Sequence, residues 1–202
     1  MHPAPAFLET DLDRLTALVA ETGLALIIGA GPDGPLCAHA PVLFGDGRLR
    51  FHLSAANPLA RVLTDSARAL AVVTGPQAYV SPDWYGLEDQ VPTWNYLSAE
   101  IEGPVRRLDR AQAADLLDAL SAVFEARLAP KPPWTRDKMT PGRFEAMLGG
   151  ITAFEVVPDR MRGVRKLSQN KPAAAQTALA EALEAQGGPS ARLAALIRDD
   201  LT

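Results

Sequence analysis

The chain has 202 residues, 48% of them hydrophobic and 22% charged, which is the composition of one ordinary globular domain and not of a disordered chain. A net charge of −4 disfavours a general nucleic-acid coat, and a single cysteine, Cys37, excludes an intrachain disulfide and a cysteine-based zinc site. The amino terminus lacks the basic-then-apolar order of a signal peptide and no apolar run approaches the roughly 20 residues of a membrane span, so a cytoplasmic protein with no membrane contact is expected.

In chain order, Thr10-Asp11-Leu12-Asp13 has the chemistry of a capped helix start, and Leu12, Leu15, Leu18 and Val19 recur at helical spacing until Gly23 can end the helix. Leu24–Ile28 is a buried strand, Gly31-Pro32-Asp33-Gly34 a turn, and Leu36–Phe44 the hairpin partner, followed by a second turn at Gly45-Asp46-Gly47. Gly29–Gly34 also matches G-x-G-x-x-G, but Pro35 and a strand-like run follow where a dinucleotide site needs a helix, so the match is a hairpin turn. Arg48–Ser54 alternates, with Leu49, Phe51 and Leu53 on one face and Arg48, Arg50, His52 and Ser54 on the other.

Asn57-Pro58 opens a helix that runs to about Thr64, since Asn caps well and Pro suits the first helical position. Ala67–Thr74 and Gln77–Ser81 are two strands broken by a turn at Gly75-Pro76. Pro82–Val91 is a loop, and Pro92–Leu108 a long strand with a bend or bulge at Gly103-Pro104. Asp109 and Gln112 have capping-box spacing ahead of the strongest helical stripe, which Pro130–Pro133 breaks. Pro141–Leu148 is a short helix, and Gly150–Val157 with Gly163–Leu167 a final strand pair. From Ala173 the chain is Ala-rich, ten of thirty residues, which makes one or two amphipathic helices with a break at Gly187-Gly188-Pro189. The sum is mainly β within the α+β class: an antiparallel barrel with peripheral helices, as residues 1–172, and a helical extension, as residues 173–202.

Three groups of residues could carry chemistry. The strand bearing His52 and Ser54 leads into the helix opened by Asn57, with Arg61 one turn in; this is either an ordinary capped helix or an anion site in which Arg61 clamps a phosphate. His39 lies in the neighbouring strand, and the three histidines, His2, His39 and His52, have no metal-ligand spacing, so no metal is expected. All three Tyr and two of the three Trp fall between Tyr79 and Tyr96. That cluster is either a small core pinning a loop or a wall for a planar ligand, with Thr93 and Asn95 on one face of a strand and Trp94 and Tyr96 on the other. Arg160–Lys171 is the most basic stretch, and no nucleophile–base pair is evident.

Taken together, Phe51-His52-Leu53-Ser54 with Ala56-Asn57-Pro58, Gly75–Pro82, Trp84-Tyr85, Val91–Tyr96 and Lys166–Asn170 resemble the PaiB-like family, whose members are called FMN-binding negative transcriptional regulators. The resemblance runs from Met1 to about Pro172. It implies a split β-barrel like that of the pyridoxamine-phosphate oxidases, and a homodimer with FMN near the subunit interface. On that resemblance Ser54, Asn57 and Arg61, beside His39 and His52, take the phosphate and ribityl end, and Thr93, Trp94 and Asn95 lie near the ring. Lys166, Ser168 and Gln169 close the site, from the same or the other subunit. The chain departs from the family pattern at Gly86–Gln90, where members carry a longer, Lys-containing segment. The implied activity is that of a flavin-dependent oxidoreductase or flavin-responsive protein of unknown substrate. The alternatives are a negative transcriptional regulator, binding DNA directly or acting through a partner, and a barrel for another planar ligand such as haem.

Overall fold

In the computed structural model, residues 4–201 are described; His2 lies outside them. The chain divides into two compact units, one made of Val19–Val73 with Glu100–Met161, the other of the described residues up to Leu18, Thr74–Ala99 and the described residues from Arg162.

The first unit is a barrel. Strands β2 (Leu24–Gly31) and β3 (Gly34–Gly45) form a hairpin in which Gly31 pairs with Gly34, and the G-x-G-x-x-G run is its tip. Strand β4 (Arg48–Ser54) follows a tight turn in which Asp46 and Gly47 both take positive φ, the twist that suits a two-residue hairpin. Its alternation is as expected, with Leu49, Phe51 and Leu53 buried. The remaining strands are β5 (Arg68–Val80), which belongs to this unit up to Val73, β6 (Thr93–Arg107), which belongs to it from Glu100, and β7 (Ile151–Val156). The order β6-β5-β2-β3-β4-β7 returns to β6 through a β6–β7 ladder, so the antiparallel ring closes and leaves no free edge. Ser66 and Ala67, just before β5, bond to Val105 at the closing seam. Inside, Phe51 and Phe154 stack with centroids 5.3 Å apart, and both are fully buried. Each such ring contributes roughly 1.5–3 kcal/mol by leaving water.

Helix α2 (Pro58–Val62) follows β4, and helix α3 (Arg110–Ala126) has the expected capping box of Asp109 and Gln112. Helix α3 buries Ala113, Leu116 and Leu120 against Leu148 of helix α4 (Arg143–Leu148) and Ala153 of β7.

The second unit holds the short strand β1 (Leu8–Glu9), which pairs with β8 (Arg160–Lys166) at Val164 and Gly163. Helix α1 (Leu12–Thr22) starts in this unit, where Asp11 accepts from the amides of Asp13 and Arg14. Helices α5 (Ala173–Gln186) and α6 (Gly188–Asp199) pack through Leu179, Leu183, Leu193 and Ile197 onto Val80, Tyr85 and Leu167 of the same chain. Among the described residues no helix is long and apolar enough to cross a membrane.

Two sequence expectations are corrected. The turn at Gly75-Pro76 does not form, because β5 is one strand from Arg68 to Val80. Gly75 serves close packing, since a Cβ there would stand 2.6 Å from Leu18 Cδ1. The last two strands do not pair with each other: β7 spends its edges on β4 and β6, and β8 lies between β1 and β6.

Candidate functional site

The expected residues fall into two sets, one in each unit. In the barrel unit, the outward face of β4 carries Arg48, Arg50, His52 and Ser54 because strand side chains alternate. Ser54 Oγ accepts from the amide of Ala56 at 3.3 Å, and the Asn57 side-chain oxygen accepts from the amide of Leu59 at 2.9 Å. The Asn57 cap is thus real, and its carbonyl is spent on the backbone while its amide group is not needed for the cap. Helix α2 is only five residues long, so its dipole is small and an anion there would depend on side-chain donors. Arg61 is exposed, and its Nη2 donates to the Ala56 carbonyl at 3.5 Å. From Arg48 to Leu63 the chain has no carboxylate, so every charged group in that run is cationic or titrates to a cation.

His52 is the unusual member. Its Nδ1 is buried and has no hydrogen-bond partner among the described residues, and burial pushes the imidazole below its ordinary pKa. A buried polar atom left unpaired costs about 1–3 kcal/mol, which a ligand group could recover. His39 is exposed on β3, opposite Leu26 of β2.

A cluster that the sequence did not disclose lies on the same barrel wall. Register places Glu155 of β7 between Arg50 of β4 and Arg106 of β6. Glu155 is only 3% exposed; Arg48 Nη1 and Arg106 Nε each donate to it at 2.8 Å. Burial alone would raise this carboxyl, but the Arg106 hydrogen bond and the charges of Arg106, Arg48 and Arg50 overcome it and hold the pKa below the usual range.

The second unit brings together Thr93, Asn95, Lys166 and Ser168. Asn95 is fully buried and Ser168 nearly so. Asn95 Nδ2 donates to Ser168 Oγ at 2.9 Å, and Ser168 Oγ shares a 2.7 Å bond with the Tyr85 hydroxyl. Ser168 holds a left-handed φ of 63°, an uncommon conformation for a residue with a side chain. Its carbonyl accepts from the amide of Lys171 at 2.9 Å, so the chain turns sharply between the two lysines. Gln169 knits this turn: its side-chain amide donates to the carbonyls of Ala6 and Arg165, and its oxygen accepts from the amide of Leu167. Asn95, Ser168 and Gln169 therefore shape the site from within the protein. Trp94, half exposed, meets the half-exposed Tyr79 edge to face, with centroids 6.2 Å apart.

The same turn helps enclose a cavity of about 270 Å³ with Phe7, Tyr85, Val91, Thr93, Lys166 and Lys171 in its walls. Lys166 Nζ donates to Thr93 Oγ1 at 2.6 Å and lies 5.6 Å from the Phe7 ring centroid. Burial lowers the Lys166 pKa. Lys171 Nζ lies 5.4 Å from the centre of the Tyr85 ring and bonds to Gln90. Sequence reasoning missed Lys171; the signal available was its place at the end of the basic stretch.

Comparison with known proteins gives three findings. The profile of a family described as "Putative FMN-binding domain" matches residues 1–160. "Protease synthase and sporulation protein PAI 2" of Bacillus subtilis (strain 168) is 26% identical over 204 residues, covering 99% of this chain and 97% of that one. Among solved structures, the flavocytochrome Anf3 of Azotobacter vinelandii superposes with a TM-score of 0.65 at 14% identity, over 82% of this chain and 72% of that one. The FAD and heme binding protein of Mycobacterium smegmatis gives 0.58 at 21% identity, over 79% and 73%. At these identities the two structural likenesses speak for the fold, an α+β split barrel with peripheral helices.

Proposed function

The chain belongs to the PaiB-like FMN-binding domain family, with FMN as the cofactor that membership gives it, and on that premise we propose that it is a flavin-dependent oxidoreductase. The flavin supplies the redox chemistry, and the protein binds it, orients it and excludes water. The observation that carries the reading is the run from His52 to Arg61. It offers a hydroxyl, a side-chain amide, a guanidinium and an unpaired buried imidazole nitrogen, with no carboxylate to repel a phosphate. That donor set fits a phosphate monoester with a polyol attached. Ser54, Asn57 and Arg61 are the residues assigned to it, with His52 and His39 beside them.

Thr93, Trp94 and Lys166 are assigned to the ring, Trp94 as a flat wall and Lys166 as a donor; Asn95, Ser168 and Gln169 position them. Titration of the purified protein with FMN, followed by quenching of flavin fluorescence, tests the reading. Arg61→Ala is expected to weaken binding about 10-fold or more, the worth of a charge-assisted hydrogen bond. Asn57→Ala is expected to weaken it less and to cost about 1 kcal/mol of stability as a lost cap. Absence of quenching at any FMN concentration would overturn the reading. We further propose a homodimer, for which light scattering should return twice the mass of the chain. A regulatory role is the second reading, suggested by the family resemblance and by no feature of this site.

A further inference from the structure

The pocket between the 166–171 turn and the 89–93 segment holds a cation, Lys171, that the flavin reading does not use. The whole chain has only four lysines, and two of them, Lys166 and Lys171, line this one small cavity. Each ammonium sits against an aromatic ring and has a neutral oxygen as partner: Thr93 Oγ1 for Lys166, the Gln90 side chain for Lys171. Among the described residues neither forms an ion pair, although Asp89 is also in the wall. Elsewhere the protein matches its cations readily: Lys131 has Glu125, Arg165 has Asp200, and Arg68 has both Asp159 and Glu102.

Two ammonium groups turned onto ring faces and part-buried lose hydration without gaining an ion pair. The burial that lowers the Lys166 pKa is the same cost seen from the proton's side. The chain is held in this arrangement by the strained Ser168 and its bonds to Asn95 and Tyr85. Strain held by a buried network is characteristic of functional positions.

We propose that this pocket binds the anionic head of a small molecule with a planar apolar body, the head lying between Lys166 and Lys171 and the body against Phe7, Tyr85 and Val91. The cavity's volume is at the small end of ligand pockets and suits a single-ring molecule carrying one carboxylate or phosphate. That this molecule is the flavin's reaction partner rests on the flavin reading; the anion site itself does not.

Calorimetric titration of the full chain with benzoate, phenyl phosphate and uncharged benzyl alcohol, with and without saturating FMN, tests the proposal. One or both anions should bind at least 10-fold more tightly than benzyl alcohol, and the tighter of the two identifies the head group. Lys171→Gln should weaken the anion at least 10-fold, Lys171→Arg should retain it, and both should keep FMN affinity within about twofold. A thermal melt of each variant confirms that it is folded. The proposal falls if neither anion binds, if Lys171→Gln leaves the affinity unchanged, or if the anion and FMN compete. A protein that binds the anion but never FMN would keep the anion site and remove the proposed function.

Discussion

Glu155 shows how much a single residue can depend on its neighbours in space. Alone, a carboxylate at 3% exposure would be pushed toward its neutral form; flanked by Arg48, Arg50 and Arg106 it stays charged. Its folded pKa lies below the unfolded value of about 4.3, so its contribution to stability is complete above that value and is lost as the pH falls through the lower folded one. Glu155→Gln is therefore expected to cost about 1–3 kcal/mol in urea unfolding at pH 7. The gap between variant and parent should shrink on acidification below about pH 4.3. A gap independent of pH would mean that shape and not charge holds the cluster. Neither this cluster nor the Tyr85–Ser168–Asn95 network was legible in the sequence. Glu155 stands 49 to 107 positions from its arginines and Ser168 73 to 83 from its two partners, and only the ladders and turns bring them together.

At the scale of elements, local chemistry was a good guide where the determinants are local. The Asn57 cap, the Asp109–Gln112 box, the Asp46–Gly47 turn and the alternation of β4 all follow from residues within a few positions of one another. Glycine-proline pairs misled for the opposite reason. Gly75-Pro76 has the composition of a turn and lies within β5, where the absence of a side chain admits Leu18. Gly103, within the uninterrupted β6, admits the backbone of Val157, whose oxygen would be 2.2 Å from an added Cβ. Because the obstacle is backbone, it cannot rotate away. Gly103→Ala is expected to force the β6 and β7 ends apart and destabilise the protein by about 1–3 kcal/mol, measured by chemical denaturation. An unchanged midpoint would show that the seam is loose at this position.

At the scale of the whole molecule, closure of the barrel and burial of the C-terminal helices are the two large events. Helices α5 and α6 supply Leu179, Leu183, Leu193 and Ile197, all fully buried, to a cluster completed by Val80, Tyr85 and Leu167. Removing the chain after Pro172 should therefore expose that cluster and yield an aggregating, dye-binding protein, while Leu183→Ala should remain folded at a cost of about 2–5 kcal/mol. A soluble, cooperatively melting truncation would mean that the barrel does not need these helices.

What the sequence determined by itself was the kind of protein: its strands and helices, most of their boundaries, and through the motifs from Phe51 to Asn170 the flavin-binding family to which it belongs. Periodicity, caps and turns are set by neighbours along the chain, and short motifs survive as patterns. Tertiary structure alone decided how the last strands pair, since β7 takes β4 and β6 while β8 lies between β1 and β6. It alone put Glu155 among three arginines and set Lys166 and Lys171 into one cavity where, among the described residues, neither forms an ion pair. The reason is physical: an edge strand pairs with whichever distant segment buries its apolar face, and the charges on the other face go where that register takes them.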